Sequence, residues 1–248
     1  MPNPQQAFDA LPETPSRDAR AALIAACGVE RRDPVRRAIL LHPTDFVLRE
    51  GDRAVITGPS GSGKSVFLRT LALLDPLDAG QILWRGEPIA RARVPAYRRR
   101  VAYIAQRPAM LDGSVEDNLR YPFGLKVYRD LHFDRAAVAR LAAAASRSDD
   151  FLDKRASELS GGEAQIAALI RVLQLAPDVL LLDEPTASLD PDSAREIEAL
   201  VAAWSAEAPA RASIWISHDP AQARRVGDRQ LTMVAGTLAE ALSHEGTP

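Results

Sequence analysis

The run Gly58-Pro59-Ser60-Gly61-Ser62-Gly63-Lys64-Ser65 has the glycine spacing and the closing Lys-Ser pair of a loop that wraps phosphate. Glycines at these intervals let the backbone turn tightly, so that successive N–H groups point inward, and a following helix adds its positive end. Lys64 is then expected to hold the terminal phosphates. An ammonium about 3 Å from a phosphate oxygen gains roughly 5 kcal/mol at an effective dielectric of about 20, before desolvation is subtracted. Ser65 offers a hydroxyl to a Mg²⁺ ion bridging two phosphates. Gly58 to Ser65, with Val66 at the head of the helix, are therefore the expected nucleotide-binding residues.

A second constellation is Val179-Leu180-Leu181-Leu182-Asp183-Glu184, an apolar run that ends in two carboxylates. Ligands of open α/β sheets bind at the carboxyl ends of strands, where two adjacent acids repel unless a cation is present. Asp183 is the expected Mg²⁺ partner. Side chains alternate along a strand, so Glu184 is expected to face the other way and to orient an attacking water. A third run, Leu159-Ser160-Gly161-Gly162-Glu163, reads first as a capping box, with Ser160 as N-cap and Glu163 three residues on. That leaves two glycines in a first helical turn unexplained, and bare backbone at a helix N-terminus suits an approaching anion.

The elements that must carry these groups follow from pattern. Ala54 to Thr57 is a short strand running into the glycine-rich loop, and Phe67, Leu71 and Leu74 recur at helical spacing until Pro76. Val101 to Ala105, Val179 to Leu182 and Ser213 to Ser217 are β-rich or continuous apolar runs suited to a parallel sheet buried on both faces. Ala21 to Ala26, Ala38 to Leu41 and Asp45 to Leu48 predict a small antiparallel sheet. Between Gln106 and about Ala156 the strand signal vanishes and the alanines after Asp134 favour helix, which predicts an inserted helical subdomain over about 107–157. Pro191 opens a further helix, with Ile197, Leu200, Val201 and Trp204 spaced to bury one face. The prolines among the first 18 residues predict a flexible tail.

Bulk properties narrow the function. The net charge of −2 provides no global field toward nucleic acid or an anionic membrane, so phosphate must be held locally. The one cysteine, Cys27, rules out an internal disulfide and reads as a small buried apolar residue in a reduced compartment. Apolar runs fall far short of the roughly 20 residues that span a bilayer, and no secretory signal pattern is present, so the chain by itself is not expected to pass a solute through a membrane.

With the Leu159–Glu163 motif the chain resembles the ATP-binding subunits of ABC transporters, from about residue 20 to about residue 240. The resemblance implies an α/β fold: a P-loop nucleoside triphosphatase core with a mostly parallel sheet, a small antiparallel β-subdomain and the inserted helical subdomain. It implies ATP and Mg²⁺ as ligands, and two copies paired head to tail so that Ser160, Gly161 and Gly162 of one close over the ATP of the other. Gln106 would sense Mg²⁺, Asp190 in the Ser188-Leu189-Asp190 turn would communicate across the homodimer, and His218 would contact the γ-phosphate. It also implies a separate integral membrane permease, no nucleic-acid partner, and a peripheral place on the inner, cytoplasmic face of the membrane. A soluble ABC ATPase of DNA repair or translation is the alternative, disfavoured because no tandem cassette, coiled coil or basic extension is visible.

Two departures from the family stand out. Ala21 to Pro43 contains no aromatic residue to stack on adenine, leaving Arg31, Arg32 or Val35 to cover the base or to form a solvated turn. Ile166 stands where arginine is usual, although Arg171 remains. More finely, Tyr103 to Pro108 and Val115 to Phe123 resemble the ATPases of Fet-type iron exporters, with Tyr121 and Phe123 as candidate permease contacts or, equally, helical-subdomain core.

Overall fold

The computed structural model describes residues 17–240. The expected tail at residues 1–18 therefore lies almost wholly outside the described residues; its last two positions begin a short 3₁₀ turn, Arg17–Ala19. Strands β1 (Ala22–Arg32), β2 (Ile39–Arg49), β4 (Ala79–Trp84) and β5 (Glu87–Pro88) form a four-stranded antiparallel sheet in the order β2-β1-β4-β5. The two apolar runs expected as separate strands at 38–41 and 45–48 are one strand, bent where its pairing with β1 shifts register. Cys27 is half-buried on β1 rather than in the core.

The second sheet holds β3 (Arg53–Thr57), β6 (Val101–Ile104), β7 (Val179–Asp183), β8 (Ala212–Ile216), β9 (Arg229–Val234) and β10 (Thr237–Glu240), in the order β10-β9-β3-β8-β7-β6. Every pairing is parallel except β10 with β9. All residues of β7 and β8 are buried, as strands covered on both faces must be. Helix α1 (Lys64–Leu71) lies between the two sheets, where Phe67 meets Phe46 of β2 edge to face at 5.4 Å. It ends sooner than Pro76 requires, because Leu73 adopts a left-handed conformation, φ 54°.

Helix α2 (Val94–Arg100) closes the far end of α1. Tyr97 Oη donates to Leu71 O at 2.6 Å, and the Arg98 guanidinium donates to the carbonyls of Ala72 and Leu73, placing a cation on the negative end of the helix. Burial pushes the Tyr97 phenol well above its usual range, so it stays a donor. On the opposite face of the parallel sheet pack α3 (Val115–Arg120), α4 (Arg135–Ala144), α5 (Gly161–Leu173), α6 (Pro191–Glu207) and α7 (Pro220–Val226). The segment from Gln106 to Ala156 contains α3, α4 and several 3₁₀ turns and no strand, apart from one isolated bridge between Ser114 and Arg155. The expected face of α6, Ile197, Leu200, Val201 and Trp204, is its buried face. Among the described residues no helix is long and apolar enough to cross a membrane.

At the amino end of β3, Asp52 is 2% exposed and accepts from Arg20 at 2.8 Å, Arg17 at 3.4 Å, Arg229 at 3.5 Å and the Arg49 backbone N–H at 3.1 Å. This carboxylate joins β3 to β9 and to the segment before β1. Its removal leaves partly buried arginines facing one another, so Asp52→Ala is expected to lower stability by about 3 kcal/mol, with Asp52→Asn milder, read as shifts of the urea midpoint at unchanged slope.

Candidate active site

The parallel strands β3, β6, β7 and β8 all end at one edge of the sheet, and each delivers part of the site. Beyond β3 lies the glycine-rich loop. Gly58 has φ 140°, and a Cβ built there would sit 2.1 Å from Met233 O; at Gly63, φ 104°, a Cβ would approach Leu40 O at 2.7 Å. Only glycine permits the loop to lie so close to β9 and β2. Gly236 N donates to Ser62 O at 2.8 Å, fixing the loop from the β9–β10 turn. Ser60 and Gly61 face solvent, Ser62 is buried with its hydroxyl unpartnered, and the Val66 side chain packs into the core, so Val66 can offer a ligand only its backbone.

Lys64 is 4% exposed and donates to Gly58 O and Pro59 O, each at 2.9 Å. An ammonium has three N–H groups, so one remains for a phosphate oxygen. Burial lowers its pKa, while the charges of Glu184 and Asp183 act in the opposite sense. Ser65 Oγ donates to Asp183 Oδ1 at 2.8 Å, and Tyr103 Oη, from β6, donates to Asp183 Oδ2 at 2.6 Å. The Tyr103 phenol is raised above its usual range, first by burial and then by this carboxylate. Sequence reasoning overlooked Tyr103 in this role, since its partner is chosen by the adjacency of β6 and β7.

Asp183 and Glu184 do part company, but not through strand alternation. Asp183 is the last residue of β7, and Glu184 lies beyond it with φ 49°, a left-handed backbone that costs a non-glycine residue about 1 to 3 kcal/mol. Pro185 disfavours the right-handed helical alternative, and Ala187 N donates back to Glu184 O at 3.0 Å. The Glu184 carboxylate is thereby turned to His218, beyond β8, with Oε1 and Nε2 2.6 Å apart. Gln106 is exposed just past β6 and makes no side-chain hydrogen bond among the described residues; the neighbouring Ala105 O accepts from Gln165 of α5 at 3.2 Å.

The Leu159–Glu163 motif opens α5 as a complete capping box: Ser160 Oγ accepts from Glu163 N at 3.2 Å and Glu163 Oε2 accepts from Ser160 N at 2.9 Å. The Lys154 ammonium, 2.9 Å from Glu163 Oε1, is the main cause that lowers the Glu163 pKa. The two glycines have different reasons. Gly161 is exposed, with its nearest neighbour 3.9 Å away, whereas a Cβ at Gly162 would meet Ser193 Oγ at 2.7 Å and Ser193 Cβ at 3.0 Å, so a side chain there forces Ser193 of α6 to give way. Ser160 and Gly161 face solvent, and no hydrogen bond among the described residues joins the motif to the phosphate loop. Asp190 caps α6 through Asp192 N and Ser193 N at 3.1 and 2.9 Å, and these bonds, Ser193 first, lower its pKa.

The departures also find places. Ile166 is fully buried in the core between sheet and helices, a site that would not hold an unpaired arginine. Arg171 is buried enough for desolvation to lower its pKa, and it donates to Ala109 O at 3.0 Å, tying α5 to the loop after Gln106. Arg31 pairs with Asp78 and Arg32 with Glu30, both at 2.5 Å, while Val35 is 87% exposed at the tip of the β1–β2 turn. Tyr121 is exposed; Phe123 is half-buried, edge-on to Phe133 at 5.8 Å.

Phosphate loop, two carboxylates and an imidazole at the carboxyl edge of one parallel sheet define a P-loop nucleoside triphosphatase. The chain belongs to the ABC transporter family, which is matched over residues 41–187. It is 37% identical to "Protein STAR1" of Oryza sativa subsp. japonica over 94% of this chain and 66% of that one. It is 35% identical to "Probable iron export ATP-binding protein FetA" of Escherichia coli (strain K12) over 82% of this chain and 89% of that one. Its fold matches the ATP-binding cassette MJ0796, solved as a dimer after hydrolysis with ADP and Pi, with a TM-score of 0.76 over 88% of this chain and 98% of that one at 23% identity. The protein is an ATP-binding subunit of the ABC kind, and its enzymatic activity is ATP hydrolysis.

Gly162→Ala is expected to destabilise the protein by about 1 to 3 kcal/mol through overpacking, and adding Ser193→Gly is expected to recover most of that loss, as thermal denaturation of the single and double variants will read.

Proposed function

We propose that the chain is the motor of a transporter, hydrolysing Mg-ATP between two copies of itself and driving a separate membrane permease. What carries this reading is the split of the site: the phosphate loop with Ser65, Asp183, Glu184 and His218 is assembled within one chain, while Ser160 and Gly161 stand exposed and unattached to it. A second copy placed head to tail brings the exposed signature over the first copy's phosphates. The dimer named for MJ0796 supports the pairing.

The donor set suits a Mg²⁺ ion. Ser65 Oγ and Asp183 Oδ1 are hard oxygen ligands held 2.8 Å apart, and no cluster of three or more His, Cys, Asp or Glu able to hold a metal exists among the described residues. Magnesium characteristically takes few protein ligands and completes its shell with phosphates and water. Bound there, it would neutralise phosphate charge, with Gln106 as a further contact. Glu184 orients the attacking water and His218, bonded to it, faces the γ-phosphate; Lys64 and the loop amides hold the phosphate oxygens. Asp190, at the head of α6, serves the contact between copies.

We place residues 107–157 as the inserted helical subdomain, with exposed Tyr121 among its permease contacts, and the complex on the cytoplasmic face of the membrane. The Fet-type likeness of 103–108 and 115–123, with the name FetA carries, makes a metal ion the cargo class to test first.

Glu184→Gln, which keeps the site's shape and removes the water-orienting charge, is expected to elute as a stable dimer in ATP and as a monomer without it. Wild-type specific activity is expected to fall steeply on dilution as the half-sites separate. An Glu184→Gln variant that stays monomeric in saturating Mg-ATP contradicts the two-copy site.

A further inference from the structure

One buried polar side chain touches both of the loops that carry the Glu184–His218 pair. Gln222 lies in the first turn of α7 and is 6% exposed. Its carbonyl oxygen accepts from Ser217 Oγ at 2.7 Å, and its amide nitrogen donates to Thr186 Oγ1 at 2.9 Å and to Glu198 Oε1 at 2.9 Å. Ser217 immediately precedes His218, and Thr186 follows Glu184 across Pro185. The amide thus reaches the turn behind the carboxylate, the residue beside the imidazole, and α6 beneath them.

Its orientation is fixed by charge. Both N–H groups and the carbonyl are in use, and rotating the amide would set its oxygen against the Glu198 carboxylate. Glu198 is itself immobilised by Arg225, whose Nε meets Oε2 and whose Nη2 meets Oε1, each at 2.9 Å. Burial alone would raise the Glu198 pKa, but the bonds from Arg225 and Gln222 outweigh it and hold the carboxyl below its usual range. Ser217 is tied again to the head of α7, its hydroxyl accepting from Asp219 N at 3.1 Å.

The site beside this network is open. A cavity of about 440 Å³ is lined by Glu184, Thr186, Ser217, His218, Gln222 and Arg225 among others. Close packing therefore cannot by itself fix the two loops relative to each other on that side, and Glu184 must be kept in an unfavourable backbone conformation.

We propose that Gln222 is a positioning residue for ATP hydrolysis: its amide locks the turn behind Glu184 to the loop that carries His218 and so holds carboxylate and imidazole in register across β7 and β8. The proposal rests on the roles given above to Glu184 and His218. It separates hydrolysis from nucleotide capture, because no residue of the phosphate loop bonds to Gln222, Thr186 or Ser217.

The test is steady-state phosphate release by the full chain across a range of Mg-ATP, with nucleotide affinity measured separately. Gln222→Ala is expected to lower kcat about tenfold or more while KM and nucleotide affinity stay within about twofold. Gln222→Met, which keeps the volume and loses the hydrogen bonds, is expected to do the same; rescue by methionine would mean that the residue only fills space and overturns the proposal. Thr186→Val and Ser217→Ala are each expected to lower kcat less, with little further loss when combined with Gln222→Ala. Wild-type kcat in Gln222→Ala, or equal losses in kcat and nucleotide affinity, overturns the proposal, provided Glu184→Gln in the same assay is inactive. Full turnover by Glu184→Gln overturns the reading of the site and this proposal together. If neither Gln222 variant folds, unchanged kcat in both hydroxyl variants overturns it.

Discussion

Two carboxylates that follow each other in the chain have to face different partners, and the left-handed backbone at Glu184 is what separates them. Unit charges about 4 Å apart repel by roughly 4 kcal/mol at an effective dielectric of about 20, more than the local strain of the turn. With the turn in place, Asp183 stays in the sheet between Ser65 and Tyr103, and Glu184 swings out to His218. One dihedral angle therefore divides the site into two halves, Asp183 with the phosphate loop, proposed above to hold cation and phosphates, and Glu184 with His218, proposed to handle water. The cavity and the proposed amide lock lie on the second side of that division.

The first half depends on α1 being held at both ends. At its head the loop is pinned by contacts with β2, β9 and the β9–β10 turn, so close that side chains at Gly58 and Gly63 would collide with backbone. At its tail Tyr97 and Arg98 take up the last carbonyls. The axis of the helix, and with it the direction of its positive end, is thus set before any anion arrives. Lys64 resting on the loop's own carbonyls keeps a buried cation solvated in the meantime.

Much of this was legible in the residues, for identifiable reasons. The phosphate loop, the apolar runs of β7 and β8 and the buried stripe of α6 are local patterns, and local patterns survive folding. β4 carried no clear signal because its first half, Ala79-Gly80-Gln81, is exposed and has no large apolar side chain, leaving no apolar alternation to read. The early end of α1 and the turn at Glu184 are left-handed conformations at Leu73 and Glu184, residue types that give no hint of them. Tyr103 reaching Asp183, and Gly162 pressed on Ser193, need the order of strands and the crossing of helices, which spacing along one segment does not contain. Of the two glycines that open α5, Gly162 packs against Ser193 of α6, while Gly161 stands in the open.

The pinning of the phosphate loop has a consequence for how the protein is made. Thr57, where β3 ends, donates to Leu231 O across 174 residues of chain, and Gly58 and Ser62 lean on Met233 and Gly236 of the same late segment. A ribosome that has finished the loop has not yet made the strand that shapes it. Contacts so distant in sequence form late, so the nascent chain carries the loop without its supporting strand until about residue 236 has been made. The phosphate cradle is therefore expected to take its final shape only when β9 docks beside β3.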